Sequence, residues 1–285
     1  MHRFFYLKIL ISLCLFSSCN LQKQNETAKN GNWLLLKRTE ISAEVHHTNH
    51  YKLYGKYAPE YNKEILKAID RVQSTAPDGG GYFASVRANP PESPIGYDLA
   101  FLGHKLLHLK RKTSYCSGAT YSAFIEGMNE ILKSKSDSVT PDRLEALKMQ
   151  EPDGGRREDG VKFWGKWNDD GYGNDYALVQ YSGIGKVIKP ENARPGDFMN
   201  ISWKNGHGHS VVFLGWYLDE NNKLNAVYWS SQKRTNGLGD DIVPVERIKE
   251  VLIVRINKPG NLLKFNVNKT VNRNIPGYKI NFHEN

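Results

Sequence analysis

The chain has 285 residues, of which 39% are hydrophobic, 24% charged and 11% aromatic. That is enough apolar material for one large domain with a flanking piece, and too much for a mostly disordered chain. Three cysteines and 25 glycines exclude a disulfide-dense or collagen-like protein, and a single apolar run ending near residue 18 excludes a polytopic membrane protein. The formal charge is +9, or +7 without Arg3 and Lys8 of that run, which suits an anionic partner; no paired Cys/His finger and no long basic helix points to nucleic acid.

Residues 1–18 combine a basic start, an apolar stretch from Leu7 to Phe16 and small residues, the profile of a secretory signal rather than a spanning helix. The run closes on Phe16-Ser17-Ser18-Cys19, which looks like a bacterial lipobox with Cys19 as the lipidated residue. Residues 19–32 then form a polar tether, so the expected location is the cell envelope, with the membrane held through the N-terminal lipid. Cys14 leaves with the signal and Cys19 carries lipid. Cys116 alone remains in the mature domain, where a lone thiol in an exported protein is either buried or used.

Residues 33–57 carry no clear period. Between Pro59 and Thr75, Tyr61, Ile65, Leu66, Ile69 and Val72 recur at helical spacing, and Pro77 to Gly81 ends that helix in a flexible loop. Pro90, Pro91 and Pro94 mark a second loop. Tyr97 to Leu109 is expected to be helical, with Leu99, Leu102, Leu106 and Leu109 on one side. The clearest helix runs from Cys116 to Lys133, with Tyr121, Phe124, Ile125, Met128, Ile131 and Leu132 as its buried stripe and Cys116 at its N-terminal edge. Thr140-Pro141 caps a short helix. A Gly-, Asp- and Asn-rich stretch over residues 152–173 precedes another helix near Asp175. After the Pro195-Gly196-Asp197 turn, strands are expected at Phe198–Trp203, Ser210–Tyr217, Asn225–Ser231 and Glu250–Ile256. Helices first and strands after predict an α+β domain.

The order of residues along these elements suggests nucleophilic chemistry. A cysteine at a helix start lies at the positive end of the macrodipole, which favours thiolate. An imidazole can pair with it, and a third polar group can hold the ring in one tautomer. Cys116 opens a helix, His209 precedes the apolar strand Ser210 to Leu214, and the next strand ends on Tyr228, Ser230 and Gln232 on one face.

Tyr115-Cys116-Ser117-Gly118 before an amphipathic helix is similar to the Cys-Ser-Gly motif of NlpC-type cell-wall peptidases. Arg194-Pro195-Gly196-Asp197-Phe198 and Gly208-His209-Ser210-Val211-Val212-Phe213-Leu214-Gly215 resemble their Pro-Gly-Asp and His strands. That group belongs to the papain-like superfamily, alongside the CHAP amidases, and the resemblance covers about residues 115–232. It implies N-terminal helices, including the nucleophile helix, packed on an antiparallel sheet. It further implies a cysteine peptidase or amidase that cleaves peptidoglycan stem peptides without metal or organic cofactor. By position Cys116 is the nucleophile and His209 the base, with Gln232 as third member ahead of Asn225 and Ser231, and His207, read as a loop residue, as the main rival base. Members often carry Asp immediately before the Cys, where it can meet a free amino group. Tyr115 stands there, so specificity for a free N-terminal L-Ala does not carry over. The aromatic-Gly-Gly approach to the Cys is also missing.

The expected organisation is one catalytic domain over 33–257, with its core at 115–257 and an extension at 33–114, followed by a C-terminal extension at 258–285; a monomer is expected. Residues 79–97 and 152–176 are expected to wall the cleft, with Tyr82, Trp164, Trp167 and Tyr172 as substrate contacts. Other classes weighed are a catalytically inactive wall-binding lipoprotein and an acyltransferase. No metal site is expected. His104 and His108 sit at i, i+4 without a following Glu, His46, His47 and His50 read as solvated, and Asn168 to Gly171 resembles only half a calcium loop.

Overall fold

The computed structural model describes residues 32–83, 95–107, 112–150, 163–165, 173–269, 271 and 275–282. In chain order these form β1 (Leu35–Leu36), α1 (His50–Tyr54), α2 (Asn62–Ser74), β2 (Leu99–Phe101), β3 (His104–Leu107), α3 (Cys116–Ile131) and α4 (Pro141–Leu147). There follow β4 (Met149–Gln150), β5 (Trp164–Gly165), a π-type helix α5 (Asp175–Tyr181), β6 (Gly185–Ile188), β7 (Phe198–Trp203), β8 (Gly208–Leu218), β9 (Leu224–Gln232), β10 (Gly237–Pro244) and β11 (Ile248–Ile256). The protein is mixed α+β. The main sheet runs β10-β9-β8-β7-β11-β6 with antiparallel neighbours throughout, and β1 adds a short parallel pair to β8. Among the described residues no helix is long and apolar enough to cross a membrane.

The sheet is buried on both faces, which is why β8 reads as a nearly continuous apolar run rather than an alternating one. One face carries Phe198, Val212, Leu214, Trp229 and Val254 into the larger core with α2 and α3. The other carries Met199, Ile201, Val211, Phe213, Trp216 and Tyr228 into a smaller core. Helix α3 is enclosed between α2 and strands β8 and β9, so burial extends well beyond the six-residue stripe, to Gly118, Ala119, Ala123 and Gly127. Small residues permit that approach: a Cβ on Gly127 would lie 2.4 Å from the Ile65 side chain of α2.

Two local expectations are corrected. The helix expected from Tyr97 to Leu109 is not formed over its described residues, 97–107. Leu99–Phe101 and His104–Leu107 pair as an antiparallel hairpin whose two-residue turn, Leu102 and Gly103, has both φ angles positive (48° and 84°). This is the turn that matches strand twist, and Leu99 and Leu106 are buried by it as well as a helix would bury them. The glycine loop after α2 is docked rather than flexible. Gly81 N donates to Asn236 O at 2.7 Å, Leu238 N donates to Gly79 O at 2.9 Å, and Gly80 bridges Gly237. Strand β10, absent from the sequence reading, receives that loop.

Candidate functional site

Helix α3 starts without a side-chain cap. Tyr115 is extended (φ −149°, ψ 168°) and its side chain makes no capping hydrogen bond, and the positive end of the helix macrodipole falls at Cys116. Cys116 sits at that start, 6% exposed. Its position is pinned on both sides. Two residues earlier, Ser114 Oγ hydrogen-bonds Ser231 Oγ at 2.7 Å, next to Gln232. One turn later, Thr120 Oγ1 hydrogen-bonds Ser210 Oγ at 2.8 Å, next to His209. Ser231, set aside as a substitute third member, is thus a brace, while Asn225 lies at the far end of β9, its amide on Lys223 O.

His209 and Gln232 face one another across the ladder. The β8–β9 register pairs Val212 with Trp229 and Phe213 with Tyr228, and continued to the strand ends it sets His209 opposite Gln232. Opposed residues share a face with Cβ atoms about 5 Å apart. The Gln232 amide is oriented by its own neighbours: Nε2 donates to Thr235 Oγ1 at 2.8 Å and to Gly239 O at 3.2 Å. Gln232 Oε1 and His209 Nε2 are both buried with no well-formed hydrogen bond to either atom, and the Gln232 amide still acts on the ring. An N–H on that ring nitrogen and the amide oxygen are complementary. Burial holds the imidazole down at about 4, against a Gln232 interaction that raises it. The ring is therefore neutral near pH 7 and able to accept a proton.

The ring rests between two aromatics. Trp203 stacks on it at 6.2 Å between centroids, tilted 28°, and Tyr228 meets it edge-on at 5.5 Å. Burial pushes the Tyr228 phenol far above its ordinary value, with Asp241 and, least, Cys116 adding to that push. His207, the rival base, is exposed in the β7–β8 turn, its backbone N–H held by Asn205.

Of the expected substrate contacts, Tyr82 is half-buried and its backbone bridges Ser114, two residues from Cys116. Trp164 lies on β5, paired in parallel with β4. Trp167, Tyr172, Cys19, His108, the 168–171 segment, the Pro90–Pro94 loop and the leader lie outside the described residues. His104 sits on β3 rather than on a helix.

The structure adds polar residues that carried no local signal. Asn174 N donates to Asn200 Oδ1 at 2.7 Å, while its own side-chain amide is buried without a partner. Asn200 pairs with Ser210 across the β7–β8 ladder, which puts a buried polar layer beneath the first turns of α3. Asp197 of the Pro-Gly-Asp turn is fully buried, bound by Arg255 through Nε and Nη2 at 2.7 Å each and by Asn62 Nδ2 at 2.7 Å. It is a structural anchor.

The expectation of solvated histidines at 46–50 is overturned. His47 and His50 are buried and stack at 4.2 Å. His47 Nε2 lies 3.0 Å from Asp240 Oδ2, and His50 bridges Asp240 at 2.9 Å and Asp70 at 2.6 Å through its two ring nitrogens. Three of these side chains, His47, His50 and Asp240, have the composition and closeness of a metal site. Their hydrogen bonds favour protons instead. Asn49 N–H donates to His47 Nδ1, which fixes the proton on His47 Nε2 where a metal would have to bind. His50, with a carboxylate at each nitrogen, is held doubly protonated up to about 9.

Comparison of the chain with protein-family models, curated proteins and solved structures gives no match.

Proposed function

We propose that this protein is a cysteine hydrolase of amide bonds, on an NlpC-type, papain-like arrangement, acting on peptidoglycan stem peptides from a lipid anchor at Cys19. The reading is supported by one observation: Gln232 and His209 are opposite one another with Gln232 Oε1 and His209 Nε2 both buried, and the Gln232 amide acts on the ring, next to the segments that hold the start of α3 at Cys116. A buried donor and acceptor are costly unless paired, and in this reading the Gln232 amide holds the imidazole in one tautomer, leaving Nδ1 to serve as the base.

In this mechanism the Cys116 thiol gives its proton to His209 Nδ1 and the sulfur attacks the amide carbonyl carbon. The oxyanion is met by the first-turn N–H of Cys116. Collapse of the tetrahedral intermediate breaks the C–N bond, with His209 returning the proton to the leaving nitrogen, and leaves a thioester on Cys116. Water, deprotonated by His209, then releases the acid and restores the thiol. Gln232 keeps the imidazole in the tautomer these steps require.

The test is turnover of defined muropeptides by the purified protein, with and without chelator. Loss of turnover in Cys116→Ala and indifference to chelator are the expected results. Turnover that survives Cys116→Ala overturns the reading. Retention on wall sacculi with no amide cleavage would make the protein a wall-binding module, and transfer to an added amine in place of water would make it an acyltransferase.

A further inference from the structure

An opening of about 520 Å³ lies on the His209 face of the sheet, lined by Trp203, Lys204, Asn205, Glu246 and Arg247. One aromatic ring separates it from the imidazole. Trp203 stacks on His209 at 6.2 Å, and the Arg247 guanidinium carbon lies 5.8 Å from the same indole centroid. The backbone around it is fixed: Lys204 N donates to Arg247 O at 3.1 Å, Trp203 N donates to His207 O at 2.8 Å, and Trp203 pairs with Ile248 in the β7–β11 ladder.

The charges in this opening are unbalanced. Lys204 and Arg247 are exposed and have no ion pair among the described residues, while Glu246 already leans toward Lys223 at 3.9 Å. A guanidinium held on an aromatic face presents its planar fork outward, the geometry that accepts a carboxylate through two parallel hydrogen bonds. The place of the opening also matters. An imidazole that protonates a leaving nitrogen has the amine half of the substrate on its own side, away from the sulfur.

We propose that this opening is the subsite for the amine half of the substrate, and that Arg247, assisted by Lys204, selects a leaving residue bearing a free carboxylate close to the scissile nitrogen. The inference rests on the hydrolase reading above and narrows it to amides whose leaving group is an anionic amino acid or peptide. Trp203 supplies the apolar floor under its carbon skeleton.

The experiment compares two stem-peptide substrates that differ only in whether the leaving residue carries a carboxylate or a primary carboxamide. The wild-type protein is expected to favour the acid by roughly tenfold or more in kcat/KM, the range of one charge-assisted hydrogen bond. Arg247→Gln should raise KM for the acid toward that of the amide, with a much smaller rise for the amide substrate and kcat little changed; Lys204→Gln should do so to a smaller degree. No preference in the wild-type protein, or a preference that survives the Arg247→Gln, Lys204→Gln double variant, overturns the proposal. A binding arm separates its failure from that of the hydrolase reading: calorimetric titration of Cys116→Ala protein with the amine-side product, as acid and as amide. Arg247-dependent binding of the acid with no turnover in any variant would keep the anion subsite and remove the hydrolase, whereas turnover without acid preference would do the reverse.

Discussion

Two buried histidines with opposite environments give this protein a stability profile that should peak near pH 6.5. His50 is fully buried between Asp240 and Asp70. Burial alone would depress its pKa, but the two carboxylates raise it from 6.5 to about 9. His209 is buried among Trp203, Tyr228 and Gln232 with no carboxylate beside it, and falls from 6.5 to about 4. Between pH 6.5 and about 9 the folded chain holds a proton at His50 that the unfolded chain has lost, so stability falls as pH rises. Between about 4 and 6.5 the unfolded chain holds a proton at His209 that the folded chain excludes, so stability falls as pH drops. Each gap corresponds to roughly 3 kcal/mol, a large part of the 5–15 kcal/mol that keeps a typical domain folded.

The assay is urea unfolding at constant ionic strength from pH 4.5 to 9, read as the free energy of unfolding at each pH. His50→Gln should flatten the alkaline limb and His209→Gln the acid limb. The slope is the readout, since removing His50 also takes a charged partner from both Asp240 and Asp70 and lowers the whole curve. Asp240 does not confuse the acid limb, because His50 and His47 hold its pKa below its ordinary value and its effect falls under pH 4. A level profile between 6.5 and 9 in the wild-type protein, or an alkaline fall that persists unchanged in His50→Gln, would refute the reasoning.

Other expected outcomes follow from single contacts. Arg255→Leu strands the fully buried Asp197 carboxylate and should cost about 3–5 kcal/mol in chemical denaturation. Thr120→Val leaves the buried Ser210 hydroxyl without its partner, at about 1–3 kcal/mol, and the double variant with Ser210→Ala should cost less than the two singles together. Gly237→Ala puts a Cβ 2.0 Å from Gly79 O at φ +113°, adding a clash to about 1–3 kcal/mol of strain, and thermal melting should show the loss. Gln232→Ala should lower the His209 pKa further, seen by NMR titration of the imidazole, because the interaction it removes is the one that raises that pKa.

What the sequence disclosed and what it hid divide along the range of the interactions. Phe198–Trp203 forms the strand its composition predicts, Thr140 caps α4 through Arg143 N, and α2 follows the spacing of Ile65, Leu66, Ile69 and Val72. These depend on neighbours a few residues away. The leucines at 99, 102 and 106 misled because a hairpin and a helix can both bury them, and the deciding signal was Gly103, the residue that permits the turn. Strand β10 was hidden for a different reason. Gly237-Leu238-Gly239-Asp240-Asp241 has the composition of a turn, and its two aspartates are tolerated in the sheet only because His47, His50 and Arg234 meet them from elsewhere in the chain. His47 and Asp240 stand 193 residues apart, so neither residue's surroundings announce the other. The candidate site has the same division. Cys116 and His209 are legible because a helix start and a strand start are local features. The partners that brace them, Ser114 with Ser231 and Thr120 with Ser210, are small polar residues that a linear reading treats as filler. They join segments 117 and 90 residues apart, and their meaning exists only once α3 lies on β8 and β9. A buried hydroxyl must find a partner or pay for its desolvation, and so the residues least distinctive in the sequence fix where the most distinctive one, the lone thiol, comes to rest.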